Sequence, residues 1–330
     1  MPPDARGLPP LFLERLRAVV PAGRYDAVIR TFAQPKPTTL RVNTLKSSAS
    51  EVWERLTAAG FLLERVPWYR EALILRRGRL RELQETDDYR TGAIYVQGLS
   101  SLLPPLVLDP QPGETILDLA AAPGSKTTQM AARMQGRGRI VAVDNNRVRC
   151  YKLQANVAQQ GAAIVEVVLS DGSVFGRRHA GAFDRVLVDA PCSVEGRFLA
   201  SEPSSYRFWK PAKIHEMVRT QRRLLRAGIE ALRPGGMLVY STCTFAPEEN
   251  EAVVDWALAQ AGEAITLEPI TLELPNAAAG LTRWEDRTFQ PSLARARRII
   301  PTDQLEGFFI ARLRKPPVPG GKIKGSNADG

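Results

Sequence analysis

Residues 115–134 read TILDLAAAPGSKTTQMAARM. An apolar run carrying Asp118 passes through three alanines, Pro123 and Gly124, and opens the helix-spaced segment TTQMAARM (127–134). The pattern predicts a strand, a tight loop and a helix in direct succession. Small residues in such a loop let backbone N–H groups approach a ligand closely. The start of the helix favours negative charge there.

The alternation continues downstream. RIVAVD (139–144), IVEVVLSD (164–171), FDRVLVDAP (183–191), GMLVYSTC (236–243) and GFFIARLRK (307–315) read as strands. NRVRCYKLQANVAQQ (146–160), KIHEMVRTQRRLLRAGIEAL (213–232) and ENEAVVDWALAQ (249–260) read as helices. Apolar strands alternating with helices imply a mostly parallel sheet covered on both faces.

Upstream the pattern differs. Residues 8–33 place Phe12, Leu16, Val19 and Val20, then Tyr25, Val28, Ile29 and Phe32, at the spacing of two short helices. TTLRVNTLK (38–46) alternates like a strand, and SSASEVWERLTAAG (47–60) reads as a serine-capped helix. FLLERVPWY and ALILRRG then read as strands. The expected organisation is helices over 1–35, a small α+β (RRM-like) module over 36–90 and an α/β domain over 91–315. A disordered basic tail, PPVPGGKIKGSNADG (316–330), ends the chain.

The 330 residues carry 45 Lys and Arg against 35 Asp and Glu, a formal net charge of +10. Such an excess favours a polyanion, because Lys and Arg displace counterions from phosphates; it does not separate RNA from DNA. No apolar run approaches the roughly 18 to 20 residues of a membrane span. MPPDARGLPP lacks the layout of a signal peptide. A soluble cytoplasmic protein is expected, with no membrane partner and no sign of an obligate dimer. Cys150, Cys192 and Cys243, with His179 and His215, show no metal-ligand spacing, so no metal is expected.

Ligands of open α/β sheets bind beyond the carboxyl ends of the strands. A P-loop aligned on Lys126 and Thr127 would need glycine where Ala120 and Ser125 stand. A dinucleotide G-x-G-x-x-G is absent as well. S-adenosylmethionine remains. Asp144 is placed for its ribose hydroxyls, Asp171 for the adenine amino group, and Asp189 points into the same crevice. Aspartates at strand ends also cap helices, but Asp118, Asp144, Asp171 and Asp189 follow one another at four strand ends. Arg149 is either a solvated helix residue or a partner for a site carboxylate.

Cys192 follows the fourth strand in DAPCSVEG and Cys243 follows the fifth in YSTCTF. Methyltransferases of exocyclic amines carry Asn/Asp-Pro-Pro-aromatic at the first position, and Pro191-Cys192 stands there instead. Carbon 5 of cytosine is a poor nucleophile. A thiolate added at carbon 6 makes the ring enamine-like, so that carbon 5 attacks a methyl sulfonium. An acid such as Asp189 suits the N3–N4 edge, and the base must leave its stack. Cys150, inside a helix, is expected only to pack.

These segments, with RIIPTDQLEGFFIARLRK and the upstream LPPLFLERL, LRVNTLK and GAIYVQGLSS, resemble the NOL/NOP/Sun family of RNA cytosine-C5 methyltransferases over about residues 8 to 315. The resemblance implies a Rossmann-like class I methyltransferase sheet of seven strands, the last antiparallel. It implies Cys243 as nucleophile and Cys192 as the residue that assists product release and proton removal. Ala120, Ala121, Ala122, Pro123, Gly124, Ser125 and Lys126 would cradle S-adenosylmethionine, with Asp144, Arg149, Asp171 and Asp189 completing the site and Lys126 orienting the reacting groups. Pro247, Glu248 and Glu249 are expected to open a helix, the acids suiting its dipole.

The chain departs from the family pattern in three places. AAAPGSK stands for CAAPGGK. Val194-Glu195-Gly196-Arg197 stands where Gly-x-Gly and then Arg-Arg-x-Pro are usual. Thr302 stands where histidine is usual. The leading expectation is methylation of small-subunit ribosomal RNA, ahead of transfer RNA. A catalytically idle RNA-binding ribosome-assembly factor is the alternative of another class. A DNA methyltransferase would place its nucleophile in the PC element.

Overall fold

The computed structural model describes residues 7–273 and 276–317. Apart from Pro316 and Pro317, the expected tail lies outside the described residues. Helices α1 (Pro10–Val19) and α2 (Tyr25–Arg30) come first. Their apolar faces pack on the loops that carry the two cysteines. The Phe12 ring centroid lies 4.9 Å from that of Phe198, and Phe32 lies 6.2 Å from Phe245.

The small module follows as β1 (Thr39–Val42), α3 (Ala49–Ala58), β2 (Leu62–Arg65), β3 (Ala72–Arg77), α4 (Leu80–Glu85), α5 (Asp87–Arg90) and β4 (Ile94–Val96). Helix α3 opens on a reciprocal cap: Glu51 N–H donates to Ser48 Oγ at 3.2 Å, and Ser48 N–H donates to the Glu51 carboxylate at 2.8 Å. The antiparallel sheet runs β2–β3–β1–β4. Strand β4 pairs with β1, Leu40 opposite Val96, so this sheet extends past the expected limit at residue 90. Three residues are too few for alternation to reveal a strand. All of β1 is buried, Arg41 included, rather than one face only. Its second face lies against the α/β domain: Arg41 donates to Gln97 Oε1 at 3.1 Å and to Thr128 Oγ1 at 3.0 Å. Burial lowers the Arg41 pKa to about 10.

The α/β domain continues with α6 (Leu103–Leu108), β5 (Thr115–Leu119), α7 (Ser125–Arg133), β6 (Arg139–Asp144), α8 (Arg147–Gln160), β7 (Val165–Leu169), α9 (Gly172–Arg178), β8 (Phe183–Asp189), α10 (Pro211–Ala231), β9 (Leu232–Thr242) and α11 (Glu251–Ala261). Short strands β10 (Thr266–Glu268), β11 (Ala277–Ala279) and β14 (Arg297–Ile299) follow. A hairpin of β12 (Arg283–Trp284) and β13 (Arg287–Thr288) stands apart, and β15 (Phe308–Arg314) is last.

The sheet order is β11–β14–β15–β9–β8–β5–β6–β7, with β10 also on β15. Strands β5 to β9 are parallel, and β15 joins β9 antiparallel, Phe309 opposite Thr242. The sheet therefore has nine strands rather than seven. Three of the nine, β10, β11 and β14, are three-residue pieces invisible to periodicity, and the other six are the strands read from the sequence. Chain order reverses between β5 and β8, and that switch point opens a crevice at the carboxyl ends. Helix α10 closes tightly on the sheet through Gly228, where a Cβ would meet Leu238 Cδ1 at 2.9 Å.

Candidate active site

The loop after β5 is shaped by its backbone. Gly124 has φ +106°, and a Cβ there would sit 2.7 Å from Leu153 Cδ1, so glycine alone fits. No side chain caps α7, which leaves first-turn N–H groups for a ligand. Asp144 holds this loop from β6. One oxygen accepts from Ala122 N–H at 3.2 Å and the other from Asn146 N–H at 3.0 Å. Arg149 ties the same point, 3.3 Å from Asp144 and donating to Ala122 O at 2.6 Å. It is a partner for the Asp144 carboxylate while staying half exposed on its helix.

Asp171 follows the end of β7, as expected, and is also engaged locally. Strand β7 stops at Leu169, and the Asp171 carboxylate turns to cap α9. It accepts from Ser173 N–H at 2.7 Å, Val174 N–H at 3.3 Å and the Ser173 hydroxyl at 2.5 Å. These bonds, the Ser173 hydroxyl first, lower its pKa. Asp171, Gly124 and Asp144 lie outside the lining of the cavity around the cysteines. Asp118 is part of that lining, with its carboxyl accepting from Thr127 Oγ1 at 2.6 Å, and burial pushes it up to about 7.

The crevice is a cavity of about 490 Å³. Ala120, Ala121, Ala122, Pro123, Ser125, Lys126 and Arg149 form one side; Asp189, Cys192, Arg197 and Cys243 form the other. Tyr95 of β4, Gln97 and Ser101 just after it, and Glu306 in the turn before β15 complete it. Sequence reasoning assigned these last four no role. They sit inside YVQGLSS and QLEGF, quoted above for resemblance, but nothing local marks them as lining residues. At the floor, Lys126 Nζ lies 2.6 Å from Asp189 Oδ2 and donates to Ser101 Oγ at 2.9 Å. Ser241 Oγ donates to the other Asp189 oxygen at 2.7 Å. The carboxylate is thereby locked in one orientation facing the cavity.

Both cysteines reach this wall, from the ends of neighbouring strands β8 and β9. Their sulfurs are 3.3 Å apart. Two thiols so close do not both ionise. The Cys192 hydrogen bond and the Arg197 guanidinium lower the Cys243 pKa against the opposing effect of burial. The same hydrogen bond, with burial, raises Cys192 well above the ordinary thiol value. The hydrogen bond between the sulfurs and the nearby Arg197 charge favour ionisation of Cys243 over Cys192. Gly196 N–H donates to Cys243 O at 2.9 Å, and Ser193 and Thr244 share a hydroxyl hydrogen bond of 2.7 Å. Buried Glu195 binds Trp209 Nε1 and Thr244 Oγ1 at 2.8 Å each and Phe245 N–H at 3.0 Å, stapling the two cysteine loops together. Cys150 is buried in α8 against Asp144 O and lies outside the cavity.

Pro247, Glu248 and Glu249 do not open the helix as expected. Pro247 to Asn250 form a turn, Asn250 has φ −106° and ψ −98°, and α11 begins at Glu251. Each acid meets a different tertiary partner. Glu248 receives Arg15 of α1 at 2.6 Å. Glu249 accepts from Ser193 N–H at 3.0 Å and Gln221 Nε2 at 2.7 Å. Glu251 pairs with Arg298 of β14. The cysteine loop is pinned from three sides, which a helix dipole would not achieve.

Among the described residues, no group of three or more His, Cys, Asp or Glu is placed to hold a metal. The cavity suits S-adenosylmethionine. Uncapped N–H groups of α7 meet an amino-acid carboxylate, small loop residues admit close approach, and the volume falls in the range of cofactor sites.

Comparison with known proteins agrees. Residues 105–314 match the family described as 16S rRNA methyltransferase RsmB/F, and residues 8–98 match the N-terminal domain of 16S rRNA methyltransferase RsmF. The chain is 41% identical over 290 residues to a tRNA (cytosine(49)-C(5))-methyltransferase of Pyrococcus abyssi, covering 86% of this chain and 89% of the relative. It is 38% identical over 327 residues to ribosomal RNA small subunit methyltransferase F of Klebsiella pneumoniae, covering 96% of this chain and 66% of that protein. It thus spans slightly less than two thirds of the bacterial relative. The crystal structure of a methyltransferase homolog protein from Pyrococcus horikoshii superposes with a TM-score of 0.79 at 34% identity, covering 93% of this chain and 100% of the other. The chain belongs to the RsmB/F family of S-adenosylmethionine-dependent RNA cytosine-C5 methyltransferases.

Proposed function

We propose that the chain methylates carbon 5 of a cytosine in small-subunit ribosomal RNA, with Cys243 as nucleophile and Cys192 as the releasing thiol. The observation that carries the roles is the 3.3 Å thiol pair with opposite pKa shifts. Cys243, charged beside Arg197, adds to carbon 6 of an unstacked cytosine. The Asp189–Lys126 pair, held by Ser241, faces the N3–N4 edge: the carboxylate accepts from the N4 amine, and the Lys126 ammonium offsets the negative charge that thiolate addition pushes onto the ring. S-adenosylmethionine, bound along Ala120 to Lys126, supplies the methyl group as an electrophilic sulfonium. The Cys243–carbon 6 bond then breaks with its electron pair going to sulfur; Cys192 passes its proton to that leaving sulfur, and the Cys192 thiolate so formed takes the proton from carbon 5, which leaves both thiols protonated and the ring aromatic. Asp144 and Arg149 keep the cofactor loop in place.

Ribosomal RNA is favoured because both halves of the chain match families described for 16S rRNA. Transfer RNA is the second reading, favoured by the Pyrococcus abyssi relative, 89% of whose length is matched. Bisulfite sequencing of both RNA classes from a deletion strain decides between them: the cytosine that loses protection names the substrate. Cys243→Ala, assayed with labelled cofactor, is expected to lose methyl transfer and keep cofactor binding; full activity in it would sink the nucleophile assignment.

A further inference from the structure

The active-site cavity does not end at the thiols. It shares Gln97, Gly98, Arg197 and Glu306 with a second cavity of about 340 Å³. That cavity shares Thr31, Gln34, Pro35 and Lys36 with a third of about 520 Å³, which reaches Arg30 and Asp303. The first and third share no lining residue. The three therefore form a line running from the cysteines to the outer end of α2.

A cation stands at each junction. Arg197 lines both the first and second cavities, and its Nε lies 3.1 Å from Glu306. Lys36 lines both the second and third. Its ammonium donates to Thr31 O at 2.9 Å and Thr302 O at 2.6 Å, which leaves one of its three donors for a ligand. Pro35 and Pro37 flank it and fix the backbone on each side. Burial lowers the Lys36 pKa to about 8 despite Glu306 and Asp303, so the arrival of an anion restores its full charge. A row of pockets with cations between them suits a single strand, whose bases and phosphates alternate. The target cytosine must leave its stack, so its neighbours reach the protein as single strand too.

We propose that this row of cavities is the path of the RNA strand on one side of the target cytosine: the neighbouring nucleotide occupies the second cavity, and Lys36 contacts the phosphate beyond it. The proposal rests on the cytosine-methylation reading for the identity of the first cavity.

The test is binding of a short single-stranded RNA with one central cytosine, read by fluorescence anisotropy, with single methylphosphonate linkages walked outward from the cytosine in both directions. Wild-type protein is expected to lose roughly tenfold in affinity at one linkage close to the cytosine on one side only. Lys36→Met is expected to bind the unmodified RNA roughly tenfold more weakly and to show no further loss at that linkage, with a salt slope lower by about 1. Lys36→Arg restores both. A flat wild-type series, or a Lys36→Met variant that still loses affinity at the same linkage, overturns the path. The wild-type series stands alone if Lys36→Met fails to fold. Methyl transfer is measured separately, so a protein that binds as described without methylating refutes the reaction and not the path.

Discussion

Glu249 offers the sharpest physical test of how the cysteine loop is held. Its side chain is fully buried. One oxygen accepts from Ser193 N–H and Gln221 Nε2, while Oε1 is buried with no partner. An ionised carboxylate with a bare buried oxygen is costly. Burial accordingly pushes Glu249 from 4.5 up to about 8. In the unfolded chain the carboxyl ionises above its ordinary pKa, whereas the folded protein must keep it protonated up to about 8. Below pH 4.5 both states hold the proton and the group contributes nothing to pH dependence. As pH rises, folding loses about 1.36 kcal/mol per pH unit from this residue. By pH 8 the loss is at most about 5 kcal/mol.

Glu249→Gln keeps the shape and the acceptor for Ser193 and Gln221 while removing the proton equilibrium. The variant is expected to match wild type within about 1 kcal/mol near pH 4.5 and to exceed it by several at pH 8. Urea unfolding of both proteins at fixed ionic strength, in steps across that range, measures the difference. Asp118 and Glu195, also raised by burial, act equally in both proteins and cancel. Parallel stability curves for the two proteins would refute the argument, because they would mean that Glu249 ionises in the folded state as it does in the unfolded chain.

Other perturbations probe the same site. Cys192→Ala removes the releasing thiol but leaves Cys243, so a protein–RNA adduct is expected as a shifted band on a denaturing gel; halted turnover with no adduct would give Cys192 another task. Arg197→Met is expected to move the alkylation profile of Cys243 to higher pH, with Arg197→Lys restoring most of it, and an unmoved profile would remove Arg197 as the stabilising charge. Arg298→Ala strands Glu251, a carboxylate with no exposure, and is expected to cost about 3 to 5 kcal/mol in urea unfolding.

Much of the fold was legible because its signals are local. In TILDLAAAPGSKTTQMAARM the change from a strand pattern to a helical one lies within 20 residues, and β5 and α7 form where it predicts. The long elements β6, α8, β8 and α10 follow for the same reason. Strands β4, β10, β11 and β14 were missed because each has three residues and exists only through its partner. Arg41 shows the same limit: a strand position that reads as exposed is buried because another unit covers it.

The site divides along the same line. From sequence alone, Asp144 and Asp171 are equivalent, each an acid at the end of a strand. Their fates differ because Ala122 and Arg149 reach the first, while Ser173 and Val174 claim the second. PEEN suggested a helix start, and only Arg15, Ser193, Gln221 and Arg298, distant in sequence, decide what its acids do. The chain by itself determined that two thiols, a small-residue loop and a row of aspartates stand at the carboxyl ends of parallel strands, since periodicity and strand order require nothing from afar. Which thiol is favoured for ionisation was decided by tertiary structure alone. That choice depends on a 3.3 Å separation and on Arg197, brought to Cys243 by the folding of a different loop.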